Sequence, residues 1–409
     1  MAVADPNEVS WLLFDLNSYF ASCEQQEAPA LRGKPVAVVP VMADTTSCIA
    51  ASYEAKRTGV KTGTMVREAK RMCPGLVCVK ARHDVYVRYH HRILAAVEKC
   101  TPISRVLSID EVLCELTGTQ RIPENAAALA RKMKQTVARE VGECLRSSIG
   151  IATSPFLAKI ASDMQKPDGL VTILKTELPQ RLFSLHLRDL PGVGPKMEKR
   201  LLQQSIRTVE QLSRYSAQEM RKIWGGIWGE RMFHWLRGED LVLPESTPKS
   251  LGHQHVLEPA ARNAADATRI LRELLVKAAL RLRKNGYYAQ RLSVEVTFLD
   301  FQGAFHREAA FEETQATLPL LQRLKELVTP FPRGKPLRVG VTLSGFVPVD
   351  RHQLSLLSDG RHDALAQAVD KINEKYGRDT VAYSDVGLGE KNVETKIAFQ
   401  RIPDLFEVE

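Results

Sequence analysis

The stretch Arg105-Val106-Leu107-Ser108-Ile109-Asp110-Glu111-Val112-Leu113-Cys114-Glu115-Leu116 alternates apolar and polar residues with the period of a strand that buries one face. The adjacent acids inside it, Asp110 and Glu111, constrain any fold the chain can adopt, because buried negative charge persists only beside a compensating partner. A second apolar run, Trp11-Leu12-Leu13-Phe14-Asp15, also ends on an acid. Laid side by side, the two strands bring Asp15, Asp110 and Glu111 together as the hard oxygen donors that Mg²⁺ prefers. Three carboxylates across two strands suffice to hold two ions for phosphoryl transfer. Taken singly, an acid at a strand end is also a turn or helix cap, and an Asp-Glu pair is also a solvated strand edge.

A chain of 409 residues exceeds one compact core and implies about two to four domains. A net charge of +9 favours a polyanionic partner. The cysteines (Cys23, Cys48, Cys73, Cys78, Cys100, Cys114 and Cys144) include no Cys-x-x-Cys pair, so the chain reads as a reduced, cytoplasmic protein with neither a zinc site nor a disulfide framework. The start Met1-Ala2-Val3-Ala4-Asp5-Pro6 lacks a basic region before an apolar one, and no apolar run is long enough to span a bilayer. No membrane association is expected.

Strands over 10–15, 36–41 and 147–152, alternating with helices over 19–24, 84–100 and 124–142, predict an α/β sheet domain. Residues 47–75 form a short, basic, small-residue-rich insertion. From 171 the pattern changes to short helices. There Leu190-Pro191-Gly192-Val193-Gly194-Pro195-Lys196 has the form of a helix-hairpin-helix turn, whose glycines allow free amides to meet a phosphate. Lys196, Lys199 and Arg200 on the next helix favour a nucleic-acid backbone over a plain packing joint. Residues 237–250, with Gly238, Pro244 and Pro248, read as a linker.

Beyond the linker come a strand at 251–257, a helix at 263–285 with Leu271, Leu274, Leu275 and Leu282 on one face, strands at 292–298 and 304–311, a helix at 314–328 and a strand at 337–346. This β-α-β-β-α-β order is a split ferredoxin-like unit. Residues 249–346 hold 15 Lys and Arg against 9 Asp and Glu, which suits a sheet that tracks DNA or an ordinary solvated surface. An amphipathic helix follows over 361–376.

Four motifs stand in order along the chain: Phe14-Asp15-Leu16-Asn17-Ser18-Tyr19-Phe20-Ala21-Ser22-Cys23-Glu24, Ser52-Tyr53-Glu54-Ala55-Lys56, Leu107-Ser108-Ile109-Asp110-Glu111, and Ala161-Ser162-Asp163-Met164-Gln165-Lys166-Pro167-Asp168-Gly169. With these the chain resembles a Y-family translesion DNA polymerase of the bacterial polymerase IV and polymerase V group, over about 10 to 400. The resemblance implies an α+β multidomain right hand: palm with a ferredoxin-like sheet (1–30 and 76–170), small fingers (31–75), helical thumb with the helix-hairpin-helix (171–236), linker (237–250), little finger (251–347) and a C-terminal tail (348–409). It implies template-directed, low-fidelity nucleotide addition opposite damaged bases, with two Mg²⁺ ions (Mn²⁺ as a substitute), primer-template DNA and dNTP as partners, and a role in the bacterial SOS response with its accessory proteins.

Residue by residue, the resemblance puts Asp15 and Asp110 on both ions, Glu111 on the ion that activates the primer 3′ hydroxyl, and the Leu16 carbonyl as a further ligand. Phe20 matches the gate against a 2′ hydroxyl. Tyr19, Tyr53, Lys56 and Lys166 match nucleotide contacts, and Gly192, Gly194, Lys196 and Lys199 DNA contacts. The chain departs from many members at Asn17, where an Asp is usual, at Lys56, where Arg is frequent and offers a bidentate fork, and at Ala50, where a hydroxyl residue is frequent. Gln353-Leu354-Ser355-Leu356-Leu357 is similar to the short peptide that docks bacterial polymerases on the sliding clamp. A loop entering the next helix is the plainer reading of those five residues. A non-catalytic family member serving as a hub at the clamp, or a DNA-binding module without chemistry, are the competing readings. The first usually loses the acids, and the second leaves the triphosphate motifs unexplained.

Overall fold

The computed structural model describes residues 7–243, 247–300, 303–352, 360–377, 380–383 and 402. Short apolar strands separated by amphipathic helices build its first part. In chain order these are β1 (Trp11–Leu16), α1 (Tyr19–Glu27), β2 (Val36–Val39), β3 (Ala50–Ala51), α2 (Tyr53–Arg57), α3 (Val66–Met72), β4 (Val77–Lys80), α4 (His83–Glu98), β5 (Arg105–Val106), β6 (Glu111–Glu115), α5 (Pro123–Glu140), β7 (Ser147–Ala152), α6 (Pro155–Met164) and β8 (Leu170–Thr172). One sheet runs β5-β6-β1-β7-β8 and a smaller one β3-β2-β4.

Alternation along β1 turns Leu12 and Phe14 to a core shared with α4 and α5, and Leu13 to a second core shared with α6 and the short helices that follow. The small sheet has its own core of Val39, Cys48, Ala55 and Val66. β2 stops at Val39 rather than 41 because Pro40 has no amide for the ladder. β4, unforeseen in the sequence, pairs parallel to β2 and is too short to display a period.

The acidic stretch 105–116 is a hairpin and not the single strand its alternation predicts. Arg105 and Val106 pair antiparallel with Leu113 and Val112. The chain reverses where the Leu107 and Ser108 amides both donate to Glu111 O, at 2.9 and 3.3 Å. The Ser108 hydroxyl meanwhile donates to Asp110 Oδ1 at 2.6 Å. Asp110 therefore lies in the turn and Glu111 opens β6, which frees the two acids from the strand rule that sends neighbours to opposite faces.

Next come α7 (Pro195–Gln203), α8 (Val209–Ser213), α9 (Ala217–Trp224) and α10 (Ile227–Trp235). The Thr208 and Ser216 side chains accept the first free amides of α8 and α9. The start of the 237–250 segment is fastened to the first sheet: Trp11 Nε1 donates to Asp240 Oδ2 at 2.6 Å and Thr153 Oγ1 to Gly238 O at 2.8 Å.

The last part holds β9 (Ser250–Val256), α11 (Ala264–Lys284), β10 (Tyr287–Phe298), β11 (Ala304–Thr314), α12 (Thr317–Leu327), β12 (Pro336–Ser344), β13 (Val347–Pro348) and α13 (Arg361–Tyr376). Its sheet runs β11-β10-β12-β9, all antiparallel. β12 thus separates β9 from β10, and β10 separates β11 from β12, giving two interlaced split β-α-β units. Leu271, Leu274, Leu275 and Leu282 all face this core, as their spacing predicts. α13 is tied down by Arg283, which grips both oxygens of Asp370 at 2.6 and 2.8 Å.

Candidate functional site

β1 ends where β6 begins, so the register sets Asp15 opposite Glu111. The Leu16 amide donates to Asp110 O at 2.8 Å and closes that corner. Asp15 is almost fully buried, with 4 % of its side chain exposed, against 23 % for Glu111. Burial, Ser108's opposing bond notwithstanding, and the charge of Asp15 push Asp110 above the usual carboxylate range. Burial does the same to Glu111 although Lys159 pulls against it.

Two lysines that face the acids come from α6 and the turn after it. Gly150 of β7 brings α6 close, since a Cβ there would lie 1.9 Å from Ala158 O. Lys159 Nζ then sits 2.6 Å from Asp15 Oδ2 and 2.6 Å from Glu111 Oε1. Lys166 Nζ lies 2.9 Å from Asp15 Oδ2 and 2.8 Å from Asp163 Oδ1. Burial works against both ammonium charges, but the surrounding carboxylates outweigh it and hold both lysines above their ordinary range.

Asn17, the departure from the expected acid, turns away from this cluster. Its Nδ2 donates to Ser148 Oγ at 3.1 Å, and its Oδ1 accepts from the Asp168 amide at 2.7 Å. Ser148 Oγ also accepts from Gly169 N at 3.2 Å and donates to Gln165 O at 3.1 Å. Asn17 therefore fastens the turn that carries Lys166.

Phe20 lies on the first turn of α1, the helix that follows β1. Its ring stacks on Tyr86 at 4.4 Å and meets His83 edge-on at 6.4 Å. Tyr86 is held in turn, its hydroxyl donating to the buried Glu24 carboxylate at 2.8 Å, which also accepts from Nε and Nη2 of Arg82. The Tyr19 phenol is buried and donates to Tyr86 O at 2.6 Å. On α2, Lys56 Nζ stands 4.6 Å over the Tyr53 ring. Burial, then the nearby Lys166, lowers Lys56, while burial raises Tyr53.

Farther away, Gly192 has φ +89° with no atom within 4 Å of a Cβ, leaving the turn before α7 open. Lys196 and Lys199 are exposed. Arg200 does not join them, because its Nη1 donates to Trp224 O at 2.7 Å and caps α9. Gln353, Leu354, Leu356 and Leu357 lie outside the described residues.

Among the described residues, no three His, Cys, Asp or Glu side chains converge to enclose a metal ion. An ammonium stands between Asp15 and Glu111 instead. The donor set still fits divalent cations: it is all carboxylate oxygen, two of its acids are raised by burial and mutual charge, and a cation already bridges the strands. The sequence alone gives Lys159, Asp163, Glu24, Arg82 and Tyr86 no separate place in the site, and for Asn17 it marks the departure but not its partners. The legible signals were the one-turn spacings Lys159 to Asp163 and Phe20 to Glu24.

Residues 14–163 match the impB/mucB/samB family, 248–356 the C-terminal domain of that family, and 188–240 the thumb domain described for DNA polymerase iota. DNA polymerase IV of Moorella thermoacetica is 34% identical over 94% of this chain and 98% of its own length. DNA polymerase IV of Pelotomaculum thermopropionicum is 32% identical over 90% and 93%. Among solved structures, a chimera of the Y-family DNA polymerases Dbh and Dpo4 superposes with a TM-score of 0.68, at 25% identity over 83% of this chain and 99% of that one. An insertion ternary complex of Dbh DNA polymerase gives a TM-score of 0.56 at the same identity and coverage.

Proposed function

The chain belongs to the impB/mucB/samB family of Y-family polymerases and is a DNA-directed DNA polymerase, and from this premise we propose that it extends primers past damaged template bases by two-metal nucleotidyl transfer. The observation that carries the reading is the register that sets Asp15 opposite Glu111, with Asp110 in the turn just before β6. Two Mg²⁺ ions, with Mn²⁺ as a substitute, would be held by Asp15, Asp110, Glu111 and the Leu16 carbonyl, and would neutralise charge on the attacking and leaving oxygens.

The chain's own residues do the rest. Tyr53, Lys56 and Lys166 supply the donors and positive charge for a triphosphate, and Asn17 holds Lys166 in place for it. Phe20, braced by Tyr86, closes the space a 2′ hydroxyl needs. Gly192, Gly194, Lys196 and Lys199 meet the DNA backbone. A palm at 1–30 and 76–170, fingers at 31–75, thumb at 171–236 and little finger at 251–347 accord with family matches over 14–163, 188–240 and 248–356, except that β4 pairs with β2 and carries the small sheet of the fingers past residue 75. Primer-template DNA and dNTP are the partners, the sliding clamp and SOS proteins further ones, in a bacterial cytoplasm.

Primer extension with purified protein tests this. Wild type should add nucleotides opposite an undamaged and a damaged template, and Asp110→Ala or Glu111→Ala should not. Equal inertness of all three with Mg²⁺ and with Mn²⁺ would remove the enzymatic reading of the site.

A further inference from the structure

Lys159 has a place in the site that the polymerase reaction does not require. Its ammonium is 2.6 Å from both Asp15 and Glu111, across the two strands that carry the acids. Asp163, one turn along the same helix, is 3.3 Å from it. Lys166 makes no such bridge, touching only Asp15 and Asp163.

We propose that Lys159 is a built-in counter-cation, whose ammonium holds Asp15 and Glu111 together before divalent ions load and swings to Asp163 as they arrive. The proposal rests on the reading of these acids as the ion-binding group. Like charges at the ends of two paired strands repel in a low-dielectric corner, and a fixed ammonium cancels that repulsion. The Lys159 side chain keeps 29 % of its surface in solvent, which leaves one side of it unpacked. Its destination is within reach, since Asp163 Oδ2 is 3.3 Å from the Lys159 ammonium while Lys166 holds Asp163 Oδ1 at 2.8 Å.

The full chain, without DNA or nucleotide, is titrated with Mn²⁺, and free Mn²⁺ is followed by electron paramagnetic resonance. Melting is recorded in EDTA and in saturating Mn²⁺. Lys159→Met removes a competing charge, so its Mn²⁺ affinity should rise on the order of tenfold. It should melt below wild type in EDTA, with the gap closing in Mn²⁺, whereas Lys159→Arg should melt like wild type in both. A purely structural lysine would weaken Mn²⁺ binding when lost, so unchanged or weaker affinity in Lys159→Met overturns the proposal. Lys159→Gln gives the same readout should the Met variant not fold. Absence of Mn²⁺ uptake by wild type and Lys159→Met alike overturns the reading of the acids, and the counter-cation with it.

Discussion

The two large sheets handle charge in opposite ways. The sheet β5-β6-β1-β7-β8 collects acids and lysines at the ends of its central strands, where Asp15 is nearly inaccessible. The sheet β11-β10-β12-β9 lines the inner face of its central strands with Leu292, Val294, Val296, Val339, Val341 and Leu343, with His253, His255 and Arg307 sharing that face on the edge strands, and pairs charges across the outer face. There Arg338 meets Glu295 at 2.9 Å and Arg291 meets Glu308 at 2.9 Å, all four about half in water. Buried ions of the first kind are held at a cost in stability, which is tolerable where chemistry uses them. Exposed pairs of the second kind cost little.

The sharpest test of that contrast is Asp110→Asn. Extension should fall by about a thousandfold or more, while the melting temperature holds or rises, since burial already disfavours the Asp110 charge. The matching change in the other sheet is Leu292→Ala, a fully buried core position. It should lower unfolding free energy by about 2–5 kcal/mol in a urea titration. Should Asp110→Asn destabilise as much as Leu292→Ala, the acids would be structural and the contrast would break.

The same contrast explains what could be read from sequence. The inner face of the second sheet and of α11 is set by local period, so Leu271, Leu274, Leu275 and Leu282 point inward as their spacing requires. In the first sheet Asp15 and Glu111 were legible because an acid closing an apolar run is conspicuous. The hairpin at 105–116 was not, because Leu107, Ser108 and Ile109 continue the alternation through the turn and no Gly or Pro marks it. Asn17 and Lys159 were hidden for another reason: their partners Ser148 and Asp15 are 131 and 144 residues away, and no local pattern encodes such a meeting.

A third expectation concerns the wall behind the acids. Burial pushes His90 down to about 4, against the bond its Nδ1 donates to Ile109 O at 2.8 Å. The unfolded chain, with His near 6.5, therefore binds the proton first. Stability from the neutral ring is complete above pH 6.5 and is lost as the pH falls towards 4, by roughly 3 kcal/mol. Comparing unfolding free energies of wild type and His90→Gln at pH 7 and pH 4.5 isolates this loss. Parallel pH dependence in the two proteins would show that His90 is not held neutral.

Asn17→Ala should act on the turn and not on the acids. Losing the bonds to Ser148 and to the Asp168 amide loosens the segment that carries Lys166. The KM for dNTP should rise about tenfold with a smaller fall in kcat. A fall in kcat with KM unchanged would place Asn17 among the groups acting on the reacting atoms, as the Asp usual at this position would suggest.

The smallest effect belongs to the second sheet. A double-mutant cycle on Arg338→Ala and Glu295→Ala should give a coupling below about 1 kcal/mol, shrinking further in 1 M salt. Arg338 also donates to Thr297 Oγ1 at 3.2 Å, so part of any loss in the single variant is a hydrogen bond to a neutral hydroxyl and not the ion pair. The cycle removes that contribution and leaves the ion pair alone. A coupling of several kcal/mol would mean that this face behaves as an interior, and the division between a sheet that buries charge for chemistry and one that pairs it in water would no longer hold.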